Sequence, residues 1–267
     1  MERHLQTENT DQHMIKTNTK KMMKWFSGWV FYLGTTISAF AGNGHKSIEP
    51  SLNLLESAKA YHDISPQEVE FKALYRDLGL AEMKLDYKVF NFAMKGFHKV
   101  NPPNKNYLVI HDYSQHSKEK RFYLINLQDK KVEINDYVAH GKNTGLFEAK
   151  NFSNTVNSKQ TSPGFYLTAA PYFGSNGHSL KLHGLEQGIN DRAMERYIVM
   201  HGAPYVSDDF VKRHGRVGRS WGCPAISTKH IDDVIGKIKH GALVFNYVDT
   251  DEYHQNSHFI KGDGLDI

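Results

Sequence analysis

From Tyr107 to Val248 the sequence is a succession of short β-branched and aromatic runs, each closed by a turn signal. Nothing else in the chain constrains its fold as strongly, because such runs suit a pleated, half-buried surface rather than long helices. Tyr107–His111 and Arg121–Asn126 read as strands. Asp129-Lys130 turns the second of these back into Val132–Ala139, a hairpin. Gly164–Thr168, Ser179–His183 and Tyr197–His201 continue the series. Thr228–His240 reads as a helix and Ala242–Val248 as a closing strand. With few crossover helices, the expected class is mainly β (α+β), a β-sandwich or flattened barrel.

Helical signals precede this region. Residues 51–62 carry helical apolar spacing. Ser65-Pro66-Gln67-Glu68 is a helix start: Ser65 caps, Pro66 fits the first turn and Glu68 completes a capping box. That helix runs to about Leu78, with Gly79 as its stop. A third stretch spans about Asp86 to His98, and Asn101-Pro102-Pro103-Asn104 breaks the chain. Residues 42–104 are therefore expected to form a small helical preface to a catalytic domain at 105–250. The stretch 251–267 reads as a polar, loose tail.

The beginning of the chain looks like an address. Lys20, Lys21 and Lys24 lead into the apolar run Trp25–Leu33, and Ala39-Phe40-Ala41 has the pattern of a cleavage site. Residues 1–41 are expected to be a signal peptide or membrane-targeting segment, with cleavage before Gly42. Left uncleaved, the same segment would associate the chain with the membrane. In both cases the remainder is exported to the periplasm or cell envelope. The net charge of +4 is small, and no basic stripe of the kind that grips nucleic acid is present. The chain holds one cysteine, Cys223, so its thiol is free, paired between chains, or working.

Two stretches carry chemistry: Tyr197–Gly202, which ends in His201, and Gly218-Arg219-Ser220-Trp221-Gly222-Cys223-Pro224-Ala225. A thiol attacks as thiolate, and a neighbouring imidazole can take its proton to give a thiolate–imidazolium pair. Backbone N–H groups around Gly222 and Cys223 are placed to hold an oxyanion. A lone cysteine is also a common small core residue. A third reading makes Cys223, His201 and His183 zinc ligands, but no second cysteine supplies the usual C-x-x-C spacing. No metal or other cofactor is therefore expected. His183-Gly184 echoes His201-Gly202 and offers a second imidazole for the cleft. Arg216 and Arg219 flank the nucleophile loop and could hold a substrate carboxylate.

His201-Gly202 followed by Ser220-Trp221-Gly222-Cys223-Pro224 resembles the active-site signature of the L,D-transpeptidase catalytic domain of the YkuD type. That signature reads His, a gap, then Ser/Thr-His-Gly-Cys. The closer likeness is to the murein L,D-transpeptidase catalytic-domain-like branch, in which Ser-Trp-Gly-Cys-Pro replaces the usual ending. His111–Ser114, Tyr137–Gly145, Phe152–Asn154, Ser162–Thr168, Leu185–Asp191 and Tyr205–Ser207 extend the likeness over roughly residues 105–248. The resemblance implies a YkuD-like catalytic domain with Cys223 as nucleophile and His201 as base. It also implies that the Gly202 carbonyl orients the imidazole, and that Ser220 and Gly222 shape the nucleophile loop. Trp221 stands where many members have histidine, which bears on the acceptor site. The implied partners are peptidoglycan stem peptides. The implied reaction is a transpeptidation through a thioester that releases a terminal D-amino acid, and carbapenems are expected to acylate the same thiol. The same residues with water as acceptor would make an L,D-carboxypeptidase or amidase. A wall-binding protein without turnover is the alternative of another class.

Overall fold

The computed structural model describes residues 65–261. The expected helix at 51–62 and the targeting segment lie outside the described residues. Helix α1 covers Pro66–Asp77, and the Ser65 hydroxyl accepts the Glu68 N–H at 3.1 Å, the N-cap that the sequence predicts. Helix α2 covers Tyr87–Val100, capped by Asp86 through Lys88 N–H at 2.7 Å and closed by Asn101 in the left-handed region.

Nine strands follow: β1 (Tyr107–Asp112), β2 (Phe122–Asn126), β3 (Lys131–Asp136), β4 (Val138–Ala139), β5 (Gly164–Gly174), β6 (Gly177–Gly184), β7 (Val199–Ala203), β8 (Ala225–Ser227) and β9 (Leu243–Tyr247). Short helices lie at α3 (Asp208–His214), α4 (Ile231–Ile238) and α5 (Asp251–Asn256). The strands form one sheet in the order β3-β2-β1-β9-β5-β6-β7-β8-β4. The first and last strands of that order are joined in the chain by Tyr137 alone. The sheet must therefore curl until its edges nearly meet, a nearly closed barrel that leaves little open edge. The expected mainly β class and flattened barrel are what is found.

Most expected strands appear within a few residues of their predicted bounds. The run 132–139 differs, because it divides at Tyr137. β3 stays in the hairpin with β2, while β4 crosses to pair with β8 at Val138↔Ile226 and Ala139↔Ala225. The run expected at Tyr197 begins instead at Val199. Tyr197 itself has φ +55, outside any strand conformation.

The core sits between the sheet and the two long helices. Phe71, Phe90 and Ala93 from the helices join Leu108, Ile110, Phe165 and Phe245 from the strands in one buried cluster. Phe165 and Phe245 stack with ring centroids 4.1 Å apart. α2 comes so close to β5 that a Cβ at Gly96 would lie 2.2 Å from the Phe165 ring, so this position requires glycine. α1 and α2 thus share their core with the sheet. The chain after 250 is also folded as far as 261, contrary to the loose tail expected. Tyr253, Phe259 and Ile260 are buried, and Tyr253 and Ser257 both donate to the buried Glu186 carboxylate. Among the described residues no helix is long and apolar enough to cross a membrane.

Candidate active site

Two neighbouring strands bring the expected catalytic pair into one region. β7 carries His201 and pairs in parallel with β8, His201 opposite Ala225. Cys223 lies two residues before Ala225, at the end of the loop that feeds β8. The His201 N–H donates to Pro224 O at 3.4 Å, tying the two stretches together.

His201 is 5% exposed. Its Nδ1 lies 3.0 Å from Gly202 O. A carbonyl only accepts, so Nδ1 carries the hydrogen and Nε2 keeps its lone pair. The tautomer required of a base is therefore set by the backbone. Burial lowers the His201 pKa below the ordinary imidazole value, opposed by the Gly202 hydrogen bond.

The Cys223 thiol is partly exposed and donates to Tyr197 O at 3.6 Å. Desolvation raises its pKa above the ordinary thiol value, against a backbone hydrogen bond from Val199 and the Arg196 charge. Burial thus disfavours the charged form of each member, which works against the thiolate–imidazolium pair expected from sequence.

Ser220 closes the nucleophile loop on itself. Its Oγ donates to Cys223 O at 2.6 Å and accepts the Gly222 N–H at 3.1 Å. Its backbone is clamped from the other side by His140 O, which takes the Ser220 N–H at 3.0 Å, and by the Lys142 N–H, which reaches Ser220 O at 2.7 Å. The Gly222 N–H, expected as an oxyanion donor, is thus directed at Ser220 Oγ. Gly222 has φ +120, and a Cβ there would fall 2.7 Å from Gln160 O. The turn therefore requires glycine.

His140 is itself held from beneath. Its Nδ1 accepts from the fully buried Arg121 at 2.8 Å, and its Nε2–H donates to Gly145 O at 3.1 Å. Arg121 also binds Val138 O with two nitrogens at 3.1 Å. Burial and the Arg121 charge press the His140 pKa down to about 3, so this ring is neutral.

The expected substrate-binding residues divide. Trp221 is 73% exposed beside the thiol loop, with Lys159 Nζ 4.5 Å over its ring. Arg219 Nη1 donates to Lys142 O at 2.9 Å and Gly145 O at 3.2 Å, which fixes the guanidinium at the loop. Arg216 donates to Val217 O, and burial together with the Arg219 charge lowers its pKa. The Arg219 charge therefore disfavours the Arg216 cation. His183 stands exposed on β6 and forms no hydrogen bond with the other site residues. Among the described residues no group of three or more His, Cys, Asp or Glu is placed to hold a metal ion.

Sequence reasoning missed Arg196 and Tyr197. Arg196 gathers Ser153 O, Ser162 Oγ, Ser158 Oγ and Gln160 O around its guanidinium. Tyr197 supplies the carbonyl that receives the thiol hydrogen. The available signal was the pair of segments 152–154 and 162–168, which Arg196 joins through Ser153 and Ser162.

Residues 81–247 match the family of the L,D-transpeptidase catalytic domain. The chain belongs to that family. Solved structures with similarity include an L,D-transpeptidase from Mycobacterium smegmatis, with 14% identity over 54% of this chain and 59% of that one and a TM-score of 0.33. An L,D-transpeptidase from Stackebrandtia nassauensis has 13% identity over 68% and 77%, with a TM-score of 0.32. The helical cell shape determining protein Pgp2 from Campylobacter jejuni has 14% identity over 60% and 56%, with a TM-score of 0.33. The chain spans less than two thirds of the Mycobacterium smegmatis protein's length. A comparison with curated proteins finds no match.

Proposed function

We propose that this chain is a cysteine-dependent L,D-transpeptidase acting on peptidoglycan stem peptides. The observation that carries the reading is the hydrogen bond from His201 Nδ1 to Gly202 O, which leaves Nε2 as a base on the strand beside Cys223. In this mechanism substrate binding turns the thiol from Tyr197 O toward His201. As Sγ attacks the amide carbonyl before the terminal D-residue, Nε2 takes the thiol proton. The Cys223 N–H stabilises the oxyanion. The C–N bond then breaks, and the imidazolium proton goes to the departing amine of the D-amino acid. An acceptor amine attacks the resulting thioester and gives its proton to His201, and Cys223 recovers its hydrogen from the ring.

Arg219 and Arg216 are assigned to a substrate carboxylate, whose charge would relieve their mutual repulsion. Trp221 is assigned to the acceptor side, and His183 to the rim of the cleft. Residues 105–250 are the catalytic segment in this reading. Export through residues 1–41 belongs to it too, and N-terminal sequencing of the envelope protein should begin near Gly42.

Intact-mass measurement after incubation with a stem tetrapeptide tests the assignment. The expected result is a thioester adduct on the peptide containing Cys223, release of the terminal D-amino acid, and loss of both in Cys223→Ala. A carbapenem should leave a stable adduct at the same residue. Release without transfer to any amine would make the enzyme a carboxypeptidase. No adduct and no release would overturn the catalytic reading in favour of a wall-binding protein.

A further inference from the structure

A cleft of about 630 Å³ opens beside the nucleophile loop, outside the residues assigned to catalysis. Its walls are the loop 150–163, the turn 187–189 and the chain at 250–256. Five of the lining side chains are carboxamides: Asn151, Asn154, Gln160, Gln187 and Asn256. The charged lining residues are Lys150 and Glu252, which offset each other, and Lys150 is already paired with Glu148 at 2.8 Å. We propose that this cleft binds a neutral saccharide of the N-acetylhexosamine type, the chain to which stem peptides are attached. The identity of that saccharide rests on the function proposed above; the preference for a neutral polyhydroxylated ligand rests on the lining alone.

The lining's chemistry, its fixed walls and its position all favour such a ligand. A carboxamide offers donor and acceptor in one plane, which matches both sugar hydroxyls and an acetamido group, whereas an anion would require unpaired cations. Ordinary ligand pockets of this size are mostly apolar, and this one is not.

The walls are fixed. Asn154 donates to Asp191 at 2.7 Å, and Asp191 also takes the Gly188 N–H at 2.8 Å. Arg196 holds the 153–162 loop, and Glu186 holds the chain at 250–256 through Tyr253 and Ser257. Gln160 is tied to Asn143 O and Asn256 to Glu252 O, while among the described residues the exposed amides of Asn151 and Gln187 meet no hydrogen-bond partner. The cleft thus has a preformed frame with amides left for a ligand. No lining residue belongs to a strand, so an extended peptide would find no sheet edge to pair with.

Gln160 lines the cleft, and its carbonyl lies against Gly222 of the nucleophile loop. One residue's backbone therefore separates the cleft from the loop that carries Cys223. A glycan held in the cleft would tether its own stem peptide beside the thiol, which raises the effective concentration of the peptide.

The test is calorimetric titration of the full chain with tri-N-acetylchitotriose, alongside Cys223 acylation by the free tetrapeptide read by mass. The trisaccharide should bind wild type, and the double variant Asn151→Ala/Gln187→Ala should weaken it at least tenfold. Because both side chains are exposed, that variant should fold and be acylated by free tetrapeptide at the wild-type rate. Absent trisaccharide binding in wild type, or equal affinity in the variant, overturns the proposal. So does slower tetrapeptide acylation in the variant with trisaccharide affinity unchanged, which would give the cleft to the peptide. Trisaccharide binding that responds to the variant without any Cys223 acylation would preserve the saccharide site and refute the transpeptidase reading instead.

Discussion

Burial pushes the Cys223 thiol up and the His201 imidazole down, so the same cause favours the neutral form of each. In the proposed mechanism, deprotonation of sulfur then accompanies attack instead of preceding it. The first prediction follows: alkylation of free Cys223 should be slow at pH 6, climb with pH and level off only above the ordinary thiol pKa. Rapid labelling at pH 6 would show a resting thiolate after all. Turnover should behave differently. Its acid limb reports the base, and with the His201 pKa lowered, kcat/KM should hold as pH falls through the ordinary imidazole value and drop only below it. Ser220 supplies the second prediction. Ser220→Ala leaves the Gly222 N–H and Cys223 O without their shared partner, a loss of about 1–3 kcal/mol. Because the loop then shifts relative to His201, acylation should slow by roughly tenfold to a hundredfold. Denaturant titration and acylation kinetics separate the two effects, and unchanged kinetics would mean the clasp does not position the thiol. Cys223, His201, Ser220 and Gly222 could be named as candidates from the sequence because a spaced signature contains them. Arg196 and Tyr197 were not, since their roles come from a guanidinium reaching loops far away in sequence and from a backbone carbonyl, and neither leaves a residue pattern.

At the scale of elements, local chemistry was readable and long-range pairing was not. The Ser65 cap and the hairpin between β2 and β3 are set by neighbours in sequence, and both were expected. The split at Tyr137 was hidden, because it is barrel closure and no local pattern that sends the last residues of Val132–Ala139 to β8. The helix at 251–256 was misread as loose because its anchor is remote: Glu186 sits 67 residues before Tyr253. A polar stretch looks solvated until the buried acceptor it serves is known. Helix α2 supports a third prediction. Gly96→Ala would drive a methyl into the Phe165 ring, where the stack with Phe245 leaves no room to retreat. Overpacking of this kind destabilises by about 1–3 kcal/mol. The urea midpoint should fall with an unchanged slope, and a midpoint equal to wild type would show that the helix can shift away from β5.

Across the described residues, the nearly closed sheet buries polar groups whose charged forms are disfavoured, and this sets how the fold responds to acid. His111 is fully buried against Asn246, and desolvation lowers its pKa to about 4. His140 is lowered to about 3, first by burial and then by Arg121. The unfolded chain protonates both rings near the ordinary value of 6.5, so between about pH 6.5 and 4 it binds protons that the folded chain refuses. Stability must therefore fall as pH drops through that window, by roughly 1.4 kcal/mol per pH unit for each ring. Glu186 and Asp112 act with the opposite sign, because burial raises their pKa values and the folded chain takes up their protons first. The total curve mixes both, so the informative measurement is a difference. His140→Gln keeps an acceptor for Arg121 and removes the titration. Urea unfolding of wild type and variant between pH 7 and 4 should give curves that diverge above pH 4, the variant losing less by about one proton's slope. Parallel curves would mean that His140 already carries a proton inside the barrel. In that case the Arg121–His140 contact beneath Ser220 would be a repulsion and not a hydrogen bond.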